Sequence, residues 1–374
     1  ERQKVPRHVE VDSIPVDGTA CRFRTCYDVD LYPLNIQQVE FVRRGASPEL
    51  TIHMEVFSGA SLDQLLVDKL QFYIHGDLHL AQTLHLYLFQ FLRGMSVQVQ
   101  TDQGTQGFTV PLNAIRAVGY DEKEDIIPYP DNAFHGYRLL QEYFALPQKF
   151  HFFEISGLSA LSSLPSATAF EIRFEFNKPF DDKIRIDTGN ILLYCTPIMN
   201  IFDRDADPIR IDHKKLEHVV RPSSGSVSHY EIFSINSVLG WVQGSGEKRK
   251  YQPFLSYDHG TDKKGSEEVY YKVKVAPSVV SRGLDTIISF VNSGDEHALP
   301  KTETVSLELS CTNRHLAEKL RVGDISRATS SSPEVAKFEN IISPTPSVPP
   351  PVGKGLHWLL ISNMSLNYSS LASV

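Results

Sequence analysis

Apolar side chains alternate with polar ones along most of this chain, in short runs bounded by turn residues. The run FEIRFEF at 170–176 is an example, because every second residue is apolar. A period of two places one set of side chains on one face of a strand. The pattern therefore predicts an α+β protein that is mostly antiparallel β, contains a few helices and has more than one domain.

Helical periodicity is confined to two places. The first predicted helix covers residues 78–93, with Asp77 as its N-cap and Gly94 as its stop. The second covers residues 137–146 and ends because Pro147 disfavours helical geometry at the residue before it.

The second helix and the aromatic strand that follows it predict a compact unit over residues 136–158. Its large side chains are expected to be buried, namely Tyr137, Leu140, Phe144, Phe150 and Phe152. On this interpretation, Phe144→Ala costs about 3–5 kcal/mol of stability.

A strand pattern recurs three times and predicts three-stranded antiparallel meanders. The runs are 37–41, 50–57 and 70–75, then 150–155, 170–176 and 191–195, then 270–275, 286–291 and 305–311. Period-two runs are common in any β-rich chain, so chance recurrence is an equal alternative to repetition.

Composition shifts divide the chain into segments. We expect β-rich domains at 1–157, 158–258 and 259–342, a Pro-rich linker at 343–353 and the start of a further element at 354–374. Residues 243–250 and 258–268 are rich in glycine and mixed charge, which predicts loops. The chain starts at Glu1 without an initiator methionine, and we expect it to be a piece of a longer protein.

Length and charge narrow the class of protein. The 374 residues exceed the roughly 250–300 at which a single core stops growing. Acidic residues outnumber basic ones by 45 to 37, and a net charge of −8 argues against nucleic acid as a partner. No apolar run approaches the ~18 residues of a membrane helix, so direct membrane insertion is not expected.

Candidate chemistry is sparse, and we predict no catalytic, cofactor or metal site and no small-molecule substrate. The chain contains no GxGxxG, Walker A or GxSxG motif. Three histidines are close in sequence, but the helix positions of the last two do not share a face: His75, His79 and His85. The cysteines form no CxxC pair, which fits reduced thiols in a reducing compartment: Cys21, Cys26, Cys195 and Cys311.

Aromatic residues make up 10% of the chain, and most of them should fill cores. Those beside polar loops are candidates for a protein interface, with core packing as the alternative: Trp241, Tyr251, Phe254 and Tyr257.

Several segments together resemble one family, TssF, a wedge component of the bacterial type VI secretion baseplate. They are LYPLNIQQVEFV at 31–42, VDKLQFYIHGD at 67–77, GYRLLQEYFALPQKFHFFEISGL at 136–158, CTPIMNIFDRDADPI at 195–209, SLELSCTNRHL at 306–316 and GLHWLLISNMSLNYSSL at 355–371. The family's chains are longer at both ends.

The resemblance implies a structural subunit and not an enzyme. Its implied partners are TssG, TssK, TssE, a second TssF copy and a VgrG hub, in a cytoplasmic baseplate assembled at the inner membrane beneath a contractile sheath. The alternative from the residues alone is a carbohydrate-binding or carbohydrate-processing β protein, which aromatic β surfaces and scattered carboxylates would also allow.

Overall fold

The computed structural model describes residues 2–44, 47–57, 59, 61–62, 65–101, 104–129, 134–163, 167–180, 184–212, 214–223, 225–254, 269–279, 283–292, 302–333, 336–349 and 355–363. The first twelve strands are β1 (Gln3–Val5), β2 (Glu10–Val16), β3 (Thr19–Thr25), β4 (Val29–Leu31), β5 (Leu34–Arg44), β6 (Ser47–Val56), β7 (Leu70–Ile74), β8 (Leu92–Thr101), β9 (Gly104–Val110), β10 (Ile115–Val118), β11 (Phe152–Ile155) and β12 (Ala169–Phe176). The next twelve are β13 (Ile191–Leu193), β14 (Ile198–Met199), β15 (Phe202–Asp205), β16 (Ile209–Ile211), β17 (His218–Val219), β18 (Glu231–Val242), β19 (Lys248–Lys250), β20 (Gln252–Pro253), β21 (Val269–Pro277), β22 (Leu284–Asn292), β23 (Glu303–Thr312) and β24 (Ile325–Ala328).

The helices are fewer and shorter. The α-helices are α1 (Leu78–Gln90) and α2 (His135–Ala145), and residues 356–363 are also helical. Short 3₁₀ helices are Leu112–Ala114, Glu122–Glu124, Pro147–His151, Leu158–Ser163, Thr188–Asn190, Val227–His229 and Arg314–Lys319. The predicted α+β class with mostly antiparallel strands is confirmed.

The chain forms two compact units. The first holds Glu1–Val9, Arg24–Met199 and Ser331–Pro333. The second holds Glu10–Phe23, Asn200–Ser330 and Glu334–Val374. The finer division predicted from composition stays a prediction; residues 343–349 of the Pro-rich segment contain neither helix nor strand.

The first unit is built on two larger antiparallel sheets. One has the order β5-β6-β12-β8-β9 and the other β10-β11-β7-β13. Both contribute to one apolar core, where the ring of Phe72 stacks on Phe153 at 5.1 Å and Phe153 meets Phe174 edge-on at 6.4 Å. Leu84 and Leu88 of α1 pack into the same core.

The second unit also has two principal sheets. Their orders are β15-β23-β18-β19, with β16 also paired to β23, and β17-β22-β21-β20. Burial alternates along most of β23, as its period-two pattern predicts. Val238, Ile288 and Leu309, from three different strands, lie in one core, while β2 pairs with β24 elsewhere in the unit.

Helix α1 confirms one predicted signal and corrects another. The side chain of Asp77 accepts a hydrogen bond from the Leu80 N–H at 2.9 Å, as expected of an N-cap. The helix ends at Gln90, however, and Gly94 is not its stop. Gly94 pairs with Glu175 within β8, because the chain leaves the helix directly into the sheet.

The predicted three-stranded meanders are wrong. The hairpins β5-β6 and β21-β22 form, but β7 pairs with β11 and β13, and β23 lies in a different sheet from β22. The free edge of β6 is occupied by β12, with Ile52 opposite Ile172. Alternation determines which face of a strand is buried but not which strand it pairs with.

The predicted loop at 243–250 contains a hairpin. Lys248–Lys250 forms β19 on β18, and the turn between them uses Gly244 and Gly246 at φ values of +95° and +69°, which glycine adopts without strain. The other predicted loop, 258–268, lies outside the described residues.

Replacing Phe153 by alanine should destabilise the protein by about 3–5 kcal/mol, because its ring is fully buried between the two sheets. Phe144→Ala is the matched control, since that side chain is 81% exposed, and its cost should be within about 0.5 kcal/mol. Urea denaturation of both variants provides the measurement. Equal losses of stability would contradict this assignment of core and surface.

Candidate assembly surface

Helix α2 begins at His135 and ends at Ala145, close to the predicted bounds. Leu146 has φ −151° and ψ 80°, which is not helical, as expected before Pro147. The chain continues through the 3₁₀ helix Pro147–His151 directly into β11. This short connection links α2 directly to β11, an inner strand of the sheet β10-β11-β7-β13.

The polarity of α2 is opposite to the prediction. Tyr137, Leu140 and Phe144 were expected in the core, but they are 50%, 57% and 81% exposed. The helix instead buries Arg138 and Glu142, which lie four residues apart on one face. The expected burial of Phe150 and Phe152, which follow α2, is confirmed.

Glu142 is the centre of the buried charge network. One carboxylate oxygen, Oε1, accepts hydrogen bonds from the N–H groups of Ile126 and Ile127 at 2.8 and 3.1 Å. The other, Oε2, accepts a hydrogen bond from Nζ of Lys149. Both charged side chains are fully buried. Burial lowers the pKa of Lys149, while the neighbouring Glu142 carboxylate acts in the opposite direction.

Arg138 ties the same face of α2 to the segment before it. Its guanidinium donates to the carbonyl oxygens of Glu122 and Asp121 at 3.2 and 3.3 Å and lies 3.9 Å from the carboxylate of Asp125. Asp125 also pairs with Arg7 at 2.9 Å. The inward side of α2 is therefore held by charge-assisted hydrogen bonds instead of apolar packing.

The outward side of α2 carries a group of large apolar side chains, which we call the α2 aromatic face. Its members are 42–81% exposed: Phe134, Tyr137, Leu140, Tyr143 and Phe144. Along α2 itself the only residues with full charges are Arg138 and Glu142, and both point inward. The outward face is consequently both apolar and uncharged.

Local packing orders part of this face. Phe134 meets Tyr137 edge-on at 5.5 Å, and a Cβ atom on Gly136 would lie 2.5 Å from the Phe134 ring. Tyr143 contacts Phe144 and the buried Phe150 at ring-centroid distances of 5.7 and 5.9 Å. Glycine at position 136 thus allows the Phe134 ring to fold against the start of the helix.

The interface residues predicted from sequence occupy different environments. Tyr251 is buried, packs edge-on against Phe290 and donates a hydrogen bond to Glu303 at 2.8 Å, so it belongs to the core of the second unit. Trp241 and Phe254 are 42% and 45% exposed. Tyr257 lies outside the described residues.

A cleft of about 260 Å³ in the first unit is lined by charged groups. These groups pair with one another: Arg2 with Asp30 at 2.8 Å, Lys4 with Asp28 at 2.6 Å and Lys69 with Glu154 at 2.8 Å. The charges are neutralised within the lining, which leaves little to recognise a charged ligand.

The thiols are buried or half-buried and are not activated. Burial raises the pKa of Cys26 and of Cys195 to about 12, and that of Cys21 and of Cys311 to about 11. A nucleophilic cysteine needs a lowered pKa, so these groups behave as small apolar side chains.

Within the part of the chain that the structure describes, no three or more His, Cys, Asp or Glu side chains are grouped so as to hold a metal ion. No described helix is long and apolar enough to cross a membrane.

Sequence periodicity predicted the position of α2 but not the buried charged residues that hold it. One signal was available: Arg138 and Glu142 are the only full charges on the helix and are separated by one helical turn. Lys149, the partner that makes burial of Glu142 tolerable, lies beyond Pro147. Nothing in the local pattern indicates that the lysine folds back.

The described residues define a multi-sheet β protein, and one of its surfaces is an uncharged aromatic helix face. Residues 1–374 match the family model described as "Type VI secretion system, TssF", and the chain belongs to this family. The resemblance inferred from the sequence segments is thereby confirmed.

Two relatives agree with this assignment. The type VI secretion system component TssF1 of Pseudomonas aeruginosa is 29% identical over 387 residues, covering 96% of this chain. The chain spans 62% of the length of that relative. A chain in a cryo-electron microscopy structure of the type VI secretion system TssK-TssF-TssG baseplate subcomplex is 25% identical, with a TM-score of 0.81, over 98% of this chain and 67% of that one.

Lys149→Met should destabilise the protein by about 3–5 kcal/mol, because it leaves the buried Glu142 carboxylate uncompensated. Lys123→Met, at an exposed position, is the control and should change stability by no more than about 0.5 kcal/mol. Chemical denaturation at neutral pH measures both. A Lys149→Met protein as stable as the control would show that the pair does not hold α2.

His151, next to this network, should make stability sensitive to acid. Burial lowers its pKa from 6.5 to about 4, so the folded protein keeps the imidazole neutral where the unfolded chain protonates it. The free energy of unfolding is unaffected by this group above pH 6.5. It decreases by about 2–3 kcal/mol as the pH falls towards 4, because the unfolded chain takes up the proton first. Urea denaturation between pH 7 and 4.5 should show a shallower loss in His151→Gln; parallel pH profiles would contradict the assignment.

Proposed function

We propose that the chain is part of a structural subunit of the type VI secretion baseplate. The observation that carries this proposal is the match of 98% of the chain, at a TM-score of 0.81, to a chain of a TssK-TssF-TssG baseplate subcomplex. Family membership over residues 1–374 supports it. The carbohydrate alternative receives no support from these relatives.

The subunit acts by binding other proteins and not by catalysis. TssG and TssK are its first proposed partners, because they share the subcomplex with the matched chain. A finer arrangement, in which TssE, a second TssF copy and a central VgrG hub also make contact in a cytoplasmic baseplate, follows from the family resemblance.

At least two of the surfaces formed by the described residues have the chemistry for such contacts. The α2 aromatic face belongs to the first unit and is uncharged. Trp241 and Phe254, half-exposed in the second unit, remain candidates for a separate contact. Exposed aromatic side chains of this size are enriched in protein interfaces.

Co-purification tests this function directly. The full-length protein that contains this chain should elute with tagged TssG, and with TssK added, as one complex on size exclusion. The Leu216→Gln variant, which is changed at an 86% exposed position, should elute in the same complex. It is the control for nonspecific effects of a surface substitution. A folded full-length protein that elutes apart from both TssG and TssK would contradict the proposal.

A further inference from the structure

The outward orientation of the α2 aromatic face is imposed by the fold. Rolling α2 to bury its aromatic side would withdraw Glu142 from Lys149 and from the N–H groups of Ile126 and Ile127. Leaving one partner of a buried ion pair uncompensated costs about 3–5 kcal/mol. The isolated unit therefore cannot hide this face by a simple rotation of the helix.

The lack of charge on the α2 aromatic face indicates which class of partner it can bind. Its five members are uncharged, and the two full charges of α2 are committed inward. Phosphate backbones and anionic membrane surfaces are recognised by exposed lysine and arginine, which the helix does not present outward. An apolar protein surface is the complement that needs no countercharge.

The shape of the face suits another helix. Tyr137, Leu140 and Phe144 follow the spacing i, i+3, i+7 and form one stripe along a helix about 16 Å long. Ridges of this kind pack into the grooves of a neighbouring helix. Phe134 and Tyr143 widen the stripe at its two ends.

The area of the face indicates a partner that is also anchored elsewhere. With large side chains of roughly 150–250 Å² each, the exposed fractions of the five members leave about 600 Å². A stable complex buries about 800 Å² on each partner. The face alone is therefore too small to hold any partner, and it fits a subunit such as those that share the baseplate subcomplex with the matched chain.

We propose that the α2 aromatic face docks an uncharged, apolar helix face of a different baseplate subunit. This inference rests on the proposed function and assigns a surface to it. A few large side chains that the partner buries fully contribute most of the binding energy of an interface, so Phe144, which is 81% exposed, should dominate the contact, with Leu140 beside it on the same stripe.

The test compares two doubly substituted full-length proteins. Leu140→Gln with Phe144→Gln changes the face, and Leu216→Gln with Val279→Gln changes apolar positions in the second unit that are even more exposed. The face variant should bind TssG or TssK at least tenfold more weakly in titrations, with an unchanged unfolding midpoint. The control should bind both as the unsubstituted protein does.

Photo-crosslinking identifies the occupant. A photoreactive amino acid at position 144 should crosslink to a helix of TssG or TssK, and one at position 216 should not. Crosslinks only to a second copy, or only to another segment of the same full-length chain, would overturn the proposal.

Failure of the inference can be told apart from failure of the function. If the unsubstituted protein binds TssG and TssK and the face variant binds both equally well, the docking surface is wrong and the function stands. If the unsubstituted protein binds neither subunit, both proposals are overturned.

Discussion

A charge buried without a partner costs several kcal/mol, and this constraint determines which way α2 faces. Glu142 and Lys149 are both fully buried and satisfy one another. Because Arg138 lies on the same side of the helix, the opposite side has to carry the apolar residues outward. The exposed aromatic face is thus a consequence of the polar side and not a defect of packing.

The sheet and the core anchor this arrangement. Lys149 lies in the 3₁₀ helix that leads directly into β11, and β11 is bonded on both sides, to β10 and β7. Phe153 of β11 is part of the apolar core between the two sheets of the first unit. The aromatic face is therefore supported by the core of the unit. A preformed surface loses less conformational entropy on binding than a flexible one.

Residue periodicity predicted much of the local structure, because it depends only on residues that are close in sequence. The capped start of α1 at Asp77 and the alternating burial of β23 were both readable from residue spacing. Strand pairing could not be predicted in this way, because 77 residues separate β7 from β11 along the chain, and the alternation of a strand is the same for any partner. The prediction of which side of α2 is buried was wrong for a similar reason. The apolar stripe was visible in the sequence, but Lys149, which pairs with Glu142 and turns that stripe outward, follows a helix break.

Hydrogen–deuterium exchange at residues 126–127 and 134–151 is the most direct test of an anchored helix that presents its apolar side to a partner. In the full-length protein alone, the amides of Ile126, Ile127 and α2 should exchange slowly, since the charge network holds them. Adding TssG and TssK should slow α2 further. Exchange in α2 that is fast in the free protein, or unchanged in a complex shown to have formed, would contradict the account.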